Sequence, residues 1–237
     1  MHAYRTPHIT QRNIMDNTQK NLLLELSIVT IAILAVSRII FCFRGVPWLS
    51  DYISTIVAVL FLYVPVMVLW MRRRSIDFLT CNLGDFLRSI KIFLITAIIV
   101  FPIFFLLAHL WQNIVMRESN FVLAGFPDVF STILFQLLVV ALPEEFFFRG
   151  YFQSAIDQVF VKKYRFLGAD LGLGWLITAV VFAFAHSIIT YQWWHFSIFF
   201  PALLFGYLRL RTGSIVAPIL FHTSANIFMN WFSRCYF

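Results

Sequence analysis

Charged residues are scarce in this chain. They make up 12% of its 237 residues, about half the share a soluble domain carries, while apolar residues reach 61%. A single soluble core of this length would not keep that much apolar surface, 29 Phe included, away from water. Lipid is therefore the expected solvent. Cysteine is scarce too: Cys42, Cys81 and Cys235 are odd in number, far apart and outside any Cys-x-x-Cys spacing. That argues against a disulfide framework or a cysteine zinc site and leaves them as packing residues. A long linker, a low-complexity tract and an internal repeat are all missing, so one membrane domain is expected over residues 1–237. The net charge of +7 comes from short clusters between apolar runs, without the basic stripe of a nucleic-acid-binding surface.

What is present is a series of apolar runs. A helix needs about 20 mostly apolar residues to cross the hydrocarbon, and seven segments qualify: 22–41, 52–71, 90–111, 129–149, 173–190, 193–211 and 214–233. The expected fold is an all-α, polytopic membrane bundle of about seven to eight transmembrane helices. The first run starts only at Leu22, contains Glu25 and Arg38 and lacks a small-residue cleavage site, so it is expected to remain as a span.

Basic residues alternate between the runs. Arg5, Arg12 and Lys20 precede the first; Arg72–Arg74 and Arg88 follow the second; Lys162, Lys163 and Arg165 follow the fourth; Arg209 and Arg211 end the sixth. The positive-inside rule then places the N-terminus and these loops in the cytoplasm and the C-terminus outside. The Arg72–Arg74 run reads as a topology signal or an anionic-lipid contact. The stretch 75–89, with Ile76, Phe78 and Phe86 among Asp77, Asp85 and Arg88, reads either as an amphipathic surface helix or as a plain loop.

Ionisable groups inside spans are costly and mark function by default. The fourth run ends Leu142-Pro143-Glu144-Glu145-Phe146-Phe147-Phe148-Arg149. Glu145 and Arg149 are four apart and pair on one helical face, whereas Glu144 is turned about 100° away and lacks that partner. An unpaired carboxyl in a low-dielectric pocket suits a general base or acid. The bland reading sets this group at a helix end, where charge is cheap. Two further spans shift the balance: His186 lies deep in the fifth, and His222 and Asn226 share a face of the seventh. Glu25 and Arg38 read as interfacial or individually paired. His109 beside Trp111, and His195 beside Trp193 and Trp194, read as aromatic-belt residues.

At these residues the sequence resembles the CPBP family, the intramembrane proteases that include the type II CAAX prenyl endopeptidases and the bacteriocin-processing and self-immunity proteins once called Abi. The resemblance covers residues 130–230 and rests on three motifs in order: Glu144-Glu145-x-x-x-Arg149 followed by Gly150-Tyr151-Phe152, then Phe182-x-x-x-His186, then His222-x-x-x-Asn226. The stretch Leu204 to Ile219 also looks like the family's turn between its last two spans. The resemblance implies a helical bundle with a catalytic core at 130–230, a cavity inside the membrane and peptide hydrolysis; residues 1–128 match no motif.

The expected mechanism has Glu144, helped by His186, deprotonate a water held between them, with His222 and Asn226 donating to the oxyanion and Glu145 and Arg149 orienting the site. No cofactor is expected. A zinc version uses two His and one Glu but lacks a His-Glu-x-x-His helix. The non-enzymatic rival is a transporter or scaffold, such as a bacteriocin self-immunity protein. The expected partners are the bilayer and a membrane-associated protein or peptide: a prenylated CAAX-type C-terminus, a leader peptide or a C-terminal sorting tail. The expected location is a bacterial or archaeal inner membrane.

Overall fold

The computed structural model describes residues 15–75, 78–79, 82–126 and 128–237. Arg5, Arg12, Ile76, Asp77 and Cys81 lie outside the described residues.

The described helices are α1 (Asn17–Cys42), the short α2 (Pro47–Ser50), α3 (Ile53–Met71), α4 (Leu83–Met116), α5 (Val129–Val159), α6 (Leu173–Thr190), α7 (Phe199–Thr212) and α8 (Val216–Ser233). A capping box opens α1: Asp16 accepts from Gln19 N at 2.7 Å, and the Gln19 side chain accepts from Asp16 N at 3.1 Å. Between α5 and α6 lies a two-stranded hairpin, β1 (Lys163–Phe166) against β2 (Ala169–Gly172), which the sequence reading did not foresee. Its turn puts Leu167 and Gly168 both at positive φ, +42° and +79°, a conformation that glycine takes at no steric cost.

Among the described residues, five helices, α1, α3, α4, α5 and α6, are long and apolar enough to cross a membrane, so five of the seven expected segments meet this test of length and composition. The run 193–211 divides into a 3₁₀ turn, Trp193–Ile198, and the 14-residue α7, which at 1.5 Å per residue falls short of the hydrocarbon thickness. Helix α8 has 18 residues but carries His222, Thr223, Ser224, Asn226 and Asn230. Both are packed among other helices, so their sequences answer to neighbours more than to lipid.

The core is built from α1, α3, α5, α6, α7 and α8 around Phe61, Phe147, Phe148, Phe182 and Ala202. Helix α4 is peripheral, presenting Ile95, Ile98, Ile99, Ile103, Leu106 and Leu107 outward, a surface suited to lipid. Among the described residues of the 75–89 stretch, α4 begins at Leu83, and Phe78 is buried against Phe146 with ring centroids 5.1 Å apart rather than lying on the surface.

The basic clusters converge on one end of the bundle. Gln19 donates to Val159 O at 3.3 Å, Arg88 donates to Arg211 O at 3.2 Å, and Arg72 and Arg74 both pair with Glu25. Glu25 is thus a paired residue, as is Arg38, which donates to Ile189 O at 2.9 Å. At the other end His109 bonds Tyr236 within a cluster of Phe105, Phe121 and Phe232. Cys235 is buried there, whereas Cys42 is exposed and so does not serve packing.

Candidate active site

Helix α5 changes its winding at the site. Pro143 has no N–H to continue the ladder, and the α-helical turn Leu142–Glu145 is flanked by π-helical segments, Gln136–Ala141 and Phe146–Gln153. Wider turns of this kind concentrate at functional sites because they re-aim side chains. The helix runs through Gly150–Gln153 to Val159, which places Glu144 in its middle.

Glu145 and Arg149 are fully buried and paired, with Arg149 Nη1 donating to Glu145 Oε1 at 3.1 Å. The guanidinium also donates to Ala202 O at 3.2 Å and lies 4.2 Å from the Phe182 ring centroid and 5.1 Å from that of Phe205. Those rings face the cation with their negative π-clouds. The same Glu145 Oε1 lies 2.8 Å from His222 Nδ1. His222 is stacked on Phe205 at 4.9 Å, which fixes its ring plane.

Glu144 has other surroundings. Its Oε2 lies 3.6 Å from His186 Nε2 and 3.9 Å from His222 Nε2 and makes no hydrogen bond. Both imidazoles therefore turn Nε2 toward one carboxylate. Their Nδ1 atoms are engaged elsewhere: His186 Nδ1 is 3.0 Å from Phe182 O, and a carbonyl oxygen only accepts, so Nδ1 carries the proton. Glu145 assigns His222 Nδ1–H in the same way. In their neutral forms both Nε2 atoms are acceptors, and a water among the three groups would find only acceptors around it.

Next to Glu144 and His186 lies a cavity of about 230 Å³, walled mostly by apolar residues such as Val57, Phe61, Val140 and Phe148. Its shape and lining fit an apolar segment held beside the carboxylate.

Of the six residues singled out in the sequence, Glu144, Glu145, Arg149, His186 and His222 form one contiguous cluster. Asn226 lies one turn along α8 from His222, and its Nδ2 donates to Gln136 Oε1 at 2.9 Å. Gln136 was missed, although a lone amide in the run Phe135-Gln136-Leu137 is the signal that marks a polar group inside a span. His195 is more than a belt residue: its Nδ1 lies 2.8 Å from Thr190 Oγ1, which donates to His186 O at 2.7 Å. Among the described residues, no group of three or more His, Cys, Asp or Glu side chains is arranged to hold a metal ion.

The family model described as type II CAAX prenyl endopeptidase Rce1-like matches residues 126–228. The match supports the resemblance of this segment to the CPBP family. A relative from Escherichia coli with the name "Uncharacterized 24.3 kDa protein" is 32% identical over 99 residues. That match covers 42% of this chain and 42% of the relative, so the aligned part spans less than half of either. No solved structure matches. The matched segment contains all of α5 to α7 and most of α8, the elements that supply the cluster; α1, α3 and α4 pack around it.

Proposed function

We propose that the chain is an intramembrane endopeptidase in which Glu144 activates a water for attack on a peptide bond, without a metal. The observation that carries this reading is the division of labour between adjacent glutamates: Glu145 pairs through Oε1 with Arg149 and His222, whereas Glu144 Oε2 stands 3.6 Å and 3.9 Å from two histidine Nε2 atoms. Water bound between Glu144 and His186 gives up a proton to that pair as its oxygen adds to the substrate carbonyl; the tetrahedral intermediate then collapses, the C–N bond breaks, and the pair passes the proton to the leaving amine.

His222 supplies the oxyanion contact in its imidazolium form, since only then does Nε2 donate. Glu145 stabilises that cation through Nδ1. The buried charges then balance, with Glu144 and Glu145 negative against Arg149 and His222 positive. Asn226, its amide oriented by Gln136, adds a second donor. One such donor commonly contributes about 10²–10³ in rate.

The substrate is a membrane-associated segment, an apolar C-terminal or leader sequence, for which the cavity beside Glu144 gives a suitable surface. Prenylated CAAX-type ends, leader peptides and sorting tails all belong to this class. The enzyme sits in a bacterial or archaeal inner membrane with its basic end, and hence its N-terminus, in the cytoplasm.

The test is cleavage of a quenched membrane-peptide library by purified wild type and by Glu144→Ala, His186→Ala and His222→Ala, each with and without a strong chelator. Wild-type activity that survives chelation and is lost in all three folded variants is the expected result. Loss on chelation with rescue by Zn²⁺ replaces this reading with a metalloprotease, and a folded wild type that cleaves nothing replaces it with a transporter or scaffold.

A further inference from the structure

Glu145, Arg149, Gln153 and Asp157 recur every four residues along α5. The π-helical winding through Phe146–Gln153 slows the drift that an α-helix would impose on such a row. The middle of the row faces α7, where Arg149 donates to Ala202 O and Gln153 Nε2 donates to Gly206 O at 3.4 Å, while Glu145 meets His222 of α8 and Asp157 lies against Gly174 of α6. Ala202 and Gly206 are small residues four apart, a pattern that lets helix backbones approach closely in a membrane. A Cβ at Gly206 would meet Trp175 Cδ1 at 2.7 Å and Gln153 Oε1 at 3.0 Å. At the basic end Arg209 donates to Ser154 Oγ at 3.3 Å, and the charges of Lys163 and Arg209 act on Asp157.

Each member of the row has one buried polar atom without a hydrogen-bond partner: Glu145 Oε2, Arg149 Nε, Gln153 Oε1 and Asp157 Oδ1. Buried polar atoms are almost always satisfied, and where protein supplies no partner, bound water does. Four such atoms in sequence from the glutamate pair to the helix end call for one explanation. Resting on the reading of this site as a hydrolase, which consumes one water per bond cleaved, we propose that the row holds a file of bound waters. The file supplies the site from the basic end of the bundle, with Arg149, Gln153 and Asp157 as its positioning residues. The cavity beside Glu144 is a poor alternative route, because its apolar walls offer water few partners.

Radiolytic footprinting of the full chain in lipid nanodiscs tests this, because radicals formed from bound water label the side chains next to it. Phe182 and Phe205 flank the Arg149 guanidinium and are 0% and 3% exposed; Phe147 and Phe232 are equally buried controls away from the row. We expect Phe182 and Phe205 to label several-fold faster than the controls, and Gln153→Leu to bring them down to the control rate while kcat falls several-fold at unchanged KM. Should Gln153→Leu fail to fold, Asp157→Leu at the end of the row takes its place. Equal labelling of reporters and controls in wild type overturns the file, as does reporter labelling that the folded variant leaves unchanged. Labelling needs no turnover, so a labelled row in a chain that cleaves nothing removes the protease and keeps the file. An unlabelled row in an active chain does the reverse.

Discussion

Glu25 on α1 and Glu145 on α5 are both carboxylates set in apolar helices beside arginine. Glu25 lies toward the basic end with its side chain 11% exposed, held by Arg72 and Arg74 from beyond α3 and by the Tyr151 hydroxyl at 3.2 Å. Glu145 is wholly buried, and its partners Arg149 and His222 are buried with it. Around Glu25, water and the more exposed arginines Arg72 and Arg74 share the charge, so the contacts mainly tie α1 to the end of α3 and to α5. Around Glu145 bulk solvent has no access. Charge must be matched within the protein, and that matched network fixes the ring that faces Glu144.

The largest effect expected is on catalysis: Glu144→Gln should lower the cleavage rate by about 10²–10⁴, the range for a general acid or base, with the unfolding midpoint in detergent unchanged. Arg149→Ala should destabilise the fold by about 3–5 kcal/mol, because it leaves Glu145 as an uncompensated buried charge. Chemical unfolding monitored by Trp fluorescence reads this directly. Gln136→Leu should reduce kcat by a smaller factor than Asn226→Ala, since it frees the Asn226 amide without deleting it, and steady-state kinetics of the two variants checks the order. Glu25→Gln should cost only about 1 kcal/mol, as for a pair with solvent access, and added salt should shrink the difference. If Glu25→Gln proves as damaging as Arg149→Ala, burial does not separate the two sites. The smallest effect expected is from Asp16→Ala, about 1 kcal/mol or less for loss of an N-cap, seen as fraying of α1 by hydrogen exchange.

Much of the cluster was legible from spacing and polarity, together with the family resemblance. The four-residue interval puts Glu145 with Arg149 and leaves Glu144 unpaired, and His186 and His222 stand out against apolar neighbours. The features that were missed have physical reasons. The break between the 3₁₀ turn Trp193–Ile198 and α7 lies inside one apolar run, so hydropathy read the whole of 193–211 as a span. The hairpin at Lys163–Gly172 alternates polar and apolar over Lys163-Tyr164-Arg165-Phe166, but each strand is only four residues long, and the cluster Lys162, Lys163 and Arg165 was read as the basic loop of a topology signal. Gln136 and Gln153 are single neutral amides whose partners come from α8 and α7, at sequence separations of 90 and 53. Phe78 lies in a stretch whose polar neighbours suggested surface, yet its ring fills the core beside α5.

The most direct measurement is a comparison of Glu144→Gln and Glu145→Gln with wild type, in lipid nanodiscs, for both peptide cleavage and unfolding midpoint. The predicted result is that Glu144→Gln abolishes cleavage at wild-type stability, while Glu145→Gln lowers the midpoint as well as the rate. Cleavage by Glu144→Gln at the wild-type rate, or a loss of stability in Glu144→Gln equal to that in Glu145→Gln, would contradict the assignment of the two glutamates to different tasks.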